Sequence, residues 1–253
     1  MSSGNLLLNP WQTVHAIPSL PGGELHIWRI GLPLLPDVLD SFHSLLTPQE
    51  VERANRLRQP QARQQFIAGR GILRRILAAA SGLDPHLIPI TTAPNGKPAF
   101  AQSGIAFNVA HSGDTVLIAL HRGGSIGIDI ECIDPTRSFM EIAQHSFTPS
   151  ENLSLLAIDD PDERRDTFYQ LWTRKEAIAK ADGRGLVLPF TSFHIPPFPA
   201  NSTPIPIDQT ETTPRRTFYV TDLPLETGLA GAMALDSPIH EMKLLMFPRH
   251  ELR

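Results

Sequence analysis

The 253-residue chain has a single cysteine, Cys132, which excludes an internal disulfide framework and any cysteine-rich metal site. Its expected role is that of a small buried hydrophobe. Long apolar runs are missing too. The N-terminal "MSSGNLLLNPWQ" has no basic region and only three successive leucines, and no uncharged stretch approaches the ~20 residues of a membrane helix. A cytoplasmic protein with no membrane association is therefore expected. Positive charge is in deficit, with 22 Lys and Arg against 26 Asp and Glu, and the net charge of −4 argues against nucleic acid as a partner. No two histidines have the H-E-x-x-H spacing of a zinc site. What is present is a globular composition, 41% hydrophobic and 19% charged, enough for a sizeable core. Many of the 24 prolines fall in "IPPFPANSTPIPIDQTETTP" (195–214), expected to be an irregular excursion.

Two tetrapeptides match. "TPQE" (47–50) and "TPSE" (148–151) each supply a threonine N-cap, a proline at the first helical position and a glutamate that completes a capping box. Each is followed by a long helical pattern closed by Gly-Leu: "RQQFIAGRGILRRILAAASGL" (63–83) and "RDTFYQLWTRKEAIAKADGRGL" (165–186). Phe66 lies 19 residues beyond Thr47 and Phe168 lies 20 beyond Thr148 (66 − 47 and 168 − 148), so the halves keep register and read as a duplication. "TVLIAL" (115–120) and "SIGIDIECI" (125–133), joined by His121-Arg122-Gly123-Gly124, read as a hairpin. "TFYVTDLP" (217–224), "GLAGAMAL" (228–235) and "MKLLMF" (242–247) supply strands of the second half. The fold class is α+β: two similar lobes, 1–125 and 126–253, with any shared site at the seam between them.

In "GIDIE" (127–131) Ile128 and Ile130 face one side of a strand and Asp129 and Glu131 the other. Two carboxylates on one face repel unless something positive sits between them. Two readings stay open here: the solvated face of a half-buried strand, or a site for a hard cation. In "FYQLWTRKEAIAK", Trp172, Glu176 and Lys180 share one helical stripe at i, i+4 and i+8, so a core aromatic is continued by two charges. The bland reading of Glu176 and Lys180 is a surface salt bridge of roughly 0.2–0.5 kcal/mol. The sharper one sets Glu176 against the Asp129–Glu131 edge across the seam. Three carboxylates plus phosphate oxygens hold Mg²⁺, and the lysine then suits a phosphate rather than a protein carboxylate.

"GIDIE" and "WTRKEAIAKADGRGL", preceded by "NGKPAF" (95–100) and "FNVAHSG" (107–113), together resemble the Sfp-type 4′-phosphopantetheinyl transferases. The four motifs occur in family order, and the resemblance runs from about Thr47 to Leu186. It implies a pseudo-dimer of two α+β lobes with the active site between them. It also implies transfer of the phosphopantetheine arm of coenzyme A to a serine of acyl or peptidyl carrier proteins of polyketide, nonribosomal-peptide or fatty-acid synthesis, releasing adenosine 3′,5′-bisphosphate. By motif, Asp129, Glu131 and Glu176 bind Mg²⁺ with the coenzyme A pyrophosphate. Glu176, directly or through water, is the base for the carrier serine, and Lys180 stabilises the leaving phosphate. Arg53, Lys97 and His111 hold the nucleotide phosphates. Family members of this length are monomers, so a monomer is expected.

Two departures stand out. Ala110 occupies a position where the family commonly has serine, removing one hydroxyl contact to coenzyme A. Glu50 stands where some members carry a basic residue, which reduces the basic contacts to the 3′-phosphate unless Arg56, Arg58 or Arg63 compensates. Lys175 is expected near the active-site end of its helix. The alternatives to a transferase are a non-catalytic coenzyme A or carrier-binding module, which decay of a metal carboxylate would have marked, and a Mg²⁺-dependent pyrophosphate hydrolase.

Overall fold

Local chemistry sets the helix starts. Proline occupies the first turn of five of the six described helices, where its missing N–H costs nothing. The computed structural model describes residues 10–92, 96–100, 103–198, 200–207 and 215–248. The helices are α1 (Pro36–His43), α2 (Pro48–Arg56), α3 (Pro60–Ser81), α4 (Phe139–Ser146), α5 (Pro149–Leu156) and α6 (Pro161–Asp182). The strands are β1 (Gln12–Thr13), β2 (Glu24–Gly31), β3 (Thr91–Thr92), β4 (Pro98–Ala99), β5 (Ile105–Ser112), β6 (Thr115–Arg122), β7 (Ile126–Cys132), β8 (Thr203–Ile207), β9 (Arg216–Asp222), β10 (Leu229–Leu235) and β11 (Glu241–Met246).

The fold is α+β with two similar lobes. One sheet has the order β1-β11-β2-β6-β5 and the other β7-β10-β9-β8. Alternation along the strands builds three cores. Trp28, Ile30, Ile118 and Leu120 pack the first sheet against α1 and α3, and Ala230, Ala232, Ala234, Phe218 and Val220 pack the second against α6. The opposite faces meet at the seam through Leu25, Ile27, Leu117, Ala119, Ile126, Ile128, Ile130 and Met233.

The duplication runs deeper than its sequence signal. Both threonine caps form complete capping boxes. Corresponding parts are 101 positions apart throughout: Thr47 and Thr148, Arg74 and Lys175, Gly82 and Gly183 (148 − 47, 175 − 74, 183 − 82). By that register Phe66 matches Thr167, so the phenylalanine pairing read from the sequence is one position off. Each lobe also ties its capping-box glutamate to a buried cation on the long helix. Arg74 contacts Glu50 at 2.9 Å and donates to the carbonyls of Pro85 and Ile88. Lys175 contacts Glu151 at 2.9 Å and donates to the carbonyls of Phe190 and Phe193. One cation thus fastens the short helix and the loop after the long helix in each lobe. Lys175 is therefore fully buried and turned into the core of its lobe, although it precedes Glu176 on α6; burial pulls its ammonium down to about 8, against the pull of Glu151.

Three other expectations are corrected. The hairpin partner of β6 is β5, not β7, because Gly123 and Gly124, at φ 82° and 71°, redirect the chain into the other sheet. "MKLLMF" returns to the first lobe, where β11 pairs parallel with β2. The proline-rich stretch contains an edge strand, β8, whose Ile205 and Ile207 point into the core while Pro204 and Pro206 face outward. Residues 208–214 lie outside the described part.

Breaking the second-lobe pair strands a charge that neither water nor a partner relieves. Glu151→Gln is expected to cost about 3–5 kcal/mol in urea unfolding. Glu50→Gln is expected to cost less, since Glu50 is partly exposed. A loss below about 1 kcal/mol for Glu151→Gln would mean that the pair does not hold the lobe.

Candidate active site

The site begins with a missing side chain. A Cβ at Gly127 would lie 2.0 Å from the carbonyl oxygen of Ala177 and 2.5 Å from the amide nitrogen of Ala181, so only glycine lets β7 lie directly on α6. Alanines at 230, 232 and 234 on the neighbouring strand keep that face shallow. Asp129 and Glu131 follow on the Gly127 face, and Glu176 and Lys180 come from the helix pressed against it.

Asp129 is buried, and burial pushes its carboxyl up to about 7; Lys180 pulls the other way, while Glu131 and Glu176 add repulsion. Burial raises Glu176 as well, opposed by Lys180 and reinforced by Glu131. The three carboxylates therefore share one electrostatic environment. They do not form a closed ligand set as oriented: among the described residues no three His, Cys, Asp or Glu side chains are grouped for a metal. The Lys180 ammonium instead sits on Asp129, at 2.6 Å from Oδ1 and 3.2 Å from the carbonyl of Ile128. The expectation that this lysine avoids protein carboxylates is corrected, and its partner is on the facing strand rather than Glu176. Asp129 Oδ2 is buried without a hydrogen-bond partner. An orphaned carboxylate oxygen beside two further carboxylates fits a hard divalent cation.

In the first lobe lies a cavity of about 370 Å³ lined by Arg53, Phe66, Arg70, Val109 and His111, among others. The guanidinium carbons of Arg53 and Arg70 lie 5.3 and 5.7 Å from the centroid of Phe66. The cavity and the carboxylates meet on β5: His111 lines the cavity, and the next residue, Ser112, donates to Glu131 at 3.4 Å.

A family model described as "4'-phosphopantetheinyl transferase superfamily" matches residues 125–228, and one described as "4'-phosphopantetheinyl transferase, N-terminal" matches residues 35–122. The chain is 36% identical over 185 residues to 4′-phosphopantetheinyl transferase HetI of Nostoc sp., covering 72% of this chain and 78% of that protein. The chain belongs to the 4′-phosphopantetheinyl transferase superfamily. It is also 35% identical over 164 residues to Sfp of Bacillus subtilis (64% of this chain, 71% of that protein) and 36% identical over 122 residues to AcpT of Escherichia coli (48% and 58%).

Within this superfamily member, several expected residues sit elsewhere. Lys97 does not line the cavity; its ammonium donates to the carbonyls of Ile126 and Lys180, both at 2.7 Å, and burial pulls it down to about 8. Asn95 of the same motif lies outside the described residues. Ala110 is buried in the seam core on the far side of β5 from His111, so its missing hydroxyl is not missing from the cavity. Glu50 is engaged by Arg70 and Arg74 and is not among the residues that line the cavity. Cys132 is exposed, not buried. Arg63 borders a second cavity, lined also by His43 and Arg58. The residue that sequence reading missed is Arg70, whose Nη1 is buried with no hydrogen-bond partner. Its signal was the run Phe66, Arg70, Arg74 at four-residue spacing, one face of α3.

The folded protein holds a proton on Asp129 that the unfolded chain releases near 3.8. This group therefore stabilises the fold fully below that pH, and its contribution is lost as pH rises to about 7. Asp129→Asn is expected to flatten that fall when urea unfolding in EDTA is compared across the interval. Parallel pH profiles for the two proteins would show an ordinary carboxylate.

Proposed function

We propose that this protein is a Mg²⁺-dependent transferase that moves the phosphopantetheine arm of coenzyme A onto a serine of apo acyl or peptidyl carrier proteins, releasing adenosine 3′,5′-bisphosphate. One observation carries the reading: Asp129, Glu131, Glu176 and Lys180 converge where β7 lies on α6, next to the basic, aromatic-floored cavity of Arg53, Arg70 and His111. Membership of the superfamily supports it. Carriers of polyketide, nonribosomal-peptide and fatty-acid synthesis are the substrate range. Both lobes of the seam come from one chain, in keeping with a monomer, and a cytoplasmic location is part of the same proposal.

Asp129, Glu131 and Glu176 would hold the Mg²⁺, which when bound offsets negative charge on the pyrophosphate. Arg53, Arg70 and His111 bind the nucleotide end, where guanidinium and imidazole donors suit phosphate oxygens. Phe66 gives the adenine a flat apolar surface. Glu176, directly or through water, accepts the proton of the carrier serine; its raised proton affinity suits a base working near neutrality. The serine oxygen forms a bond to the phosphorus that carries the pantetheine arm, and the bond from that phosphorus to the bridging oxygen breaks. The electron pair leaves with adenosine 3′,5′-bisphosphate. Lys180 exchanges Asp129 for the departing phosphate, supplying a cation where charge accumulates.

Intact mass of an apo carrier protein incubated with this protein, coenzyme A and Mg²⁺ is expected to rise by one phosphopantetheine arm, with no gain in EDTA. Glu176→Gln should lower turnover by about 100-fold or more with the fold intact, and Lys180→Ala should lower kcat more than stability. No gain on several apo carriers, despite measurable coenzyme A binding, would replace the transferase with a binding module.

A further inference from the structure

Among the described residues β7 is an edge strand of the second sheet, paired only with β10. In an antiparallel pair alternate residues turn both backbone groups away from the partner, leaving a row of donors and acceptors that needs cover. Here the first lobe covers it with side chains. Asn108 Oδ1 accepts from the Ile128 amide at 2.8 Å, and Ser112 Oγ accepts from the Cys132 amide at 2.9 Å. Lys97 takes the Ile126 carbonyl at 2.7 Å. Lys180, from α6, takes the Ile128 carbonyl.

Lys97 also does a second thing. A second contact, the carbonyl of Lys180, belongs to the last turn of α6, where carbonyls have no partner within the helix and carry the negative end of its dipole. The same ammonium therefore joins the start of the carboxylate strand to the end of the catalytic helix. The link closes a ring: Lys97 to Ile126 and to the Lys180 carbonyl, and the Lys180 side chain back to Ile128 and Asp129. Two of the three N–H donors of Lys97 are thus committed to carbonyls beside a helix C-terminus, a place that disfavours a phosphate. The cavity Lys97 borders is a separate one, lined by Phe100, Phe107 and Ile126.

We propose that Lys97 is a positioning residue: reaching from the first lobe, it clamps β7 to the end of α6 and so fixes the spacing across which Asp129, Glu131, Glu176 and Lys180 meet. This rests on the transferase reading of that site. Because the clamp acts through backbone carbonyls, its loss displaces the reacting groups without removing any of them, and displacements of about 1 Å cost about 100-fold in rate.

The test compares wild type, Lys97→Met and Lys97→Arg as full-length proteins. Lys97→Met is expected to lower kcat by about 100-fold, while the Kd for coenzyme A from calorimetry and its salt dependence stay close to wild type. Hydrogen exchange of segments 126–131 and 177–183 should accelerate by about tenfold or more, with α2 unchanged. Lys97→Arg, whose fork spans two carbonyls, should recover most of kcat and of the protection. Weaker coenzyme A binding with a shallower salt dependence, at unchanged exchange, would overturn the clamp in favour of a phosphate contact. Unchanged kcat and exchange would overturn it outright. If Lys97→Met does not fold, Lys97→Gln, which cannot bridge both carbonyls with one ammonium, decides: loss of kcat and protection without loss of coenzyme A binding upholds the clamp, and weakened binding at unchanged exchange, or no change at all, sinks it. Wild type that transfers nothing would sink the transferase reading, whereas exchange still decides whether Lys97 joins strand to helix.

Discussion

The site depends on one close approach, that of β7 to α6 at Gly127. No side chain separates the strand from the carbonyl of Ala177, so residues on the two elements meet at hydrogen-bonding distance instead of across a layer of apolar side chains. Asp129 and Lys180 form an ion pair only because of that contact. A methyl group at 127 would push helix and strand apart, and every charged group of the site would move with them.

Around this contact the two lobes use the same device for different ends. A capping-box glutamate and a buried cation fasten each short helix to its long one. In the first lobe the glutamate has a second arginine, Arg70, which also lines the cavity. In the second lobe the equivalent pair is sealed, and the residue after its lysine, Glu176, lies near Lys180 and Glu131 instead. The two lobes thus share one frame, which borders a cavity in the first and is sealed in the second. The lobes are held in register by the open edge of β7, which the first lobe covers with Asn108, Ser112 and Lys97 in place of another strand.

The electrostatics show the tension expected of a functional site. Burial holds Asp129 near neutrality in proton affinity, with one oxygen satisfied by a lysine and the other unpartnered. Such an arrangement destabilises the fold at neutral pH, and its unpartnered oxygen fits a hard cation. Lys175, in contrast, has Glu151 and two carbonyls within hydrogen-bonding distance of its ammonium.

Much of this was legible in the sequence, because the signals were local. Threonine caps followed by proline and glutamate determine where α2 and α5 begin, strand alternation puts Asp129 and Glu131 on one face, and four-residue spacing aligns Glu176 with Lys180. The duplication and the α+β class follow from the same short-range patterns. What crosses the chain was not legible. Whether β6 pairs with β5 or β7, that β11 returns to the first sheet, and that Lys97 meets carbonyls while Arg70 faces the cavity are decided by contacts between residues far apart in sequence. Burial then overrides local expectation: it turns Lys175 inward and gives Glu50 a structural charge to balance. The sequence by itself determined the elements and the face each charge occupies, since those follow from backbone periodicity. Only the tertiary structure decided which charges meet, since that depends on how closely two elements can pack, and here on a glycine with no side chain in the way.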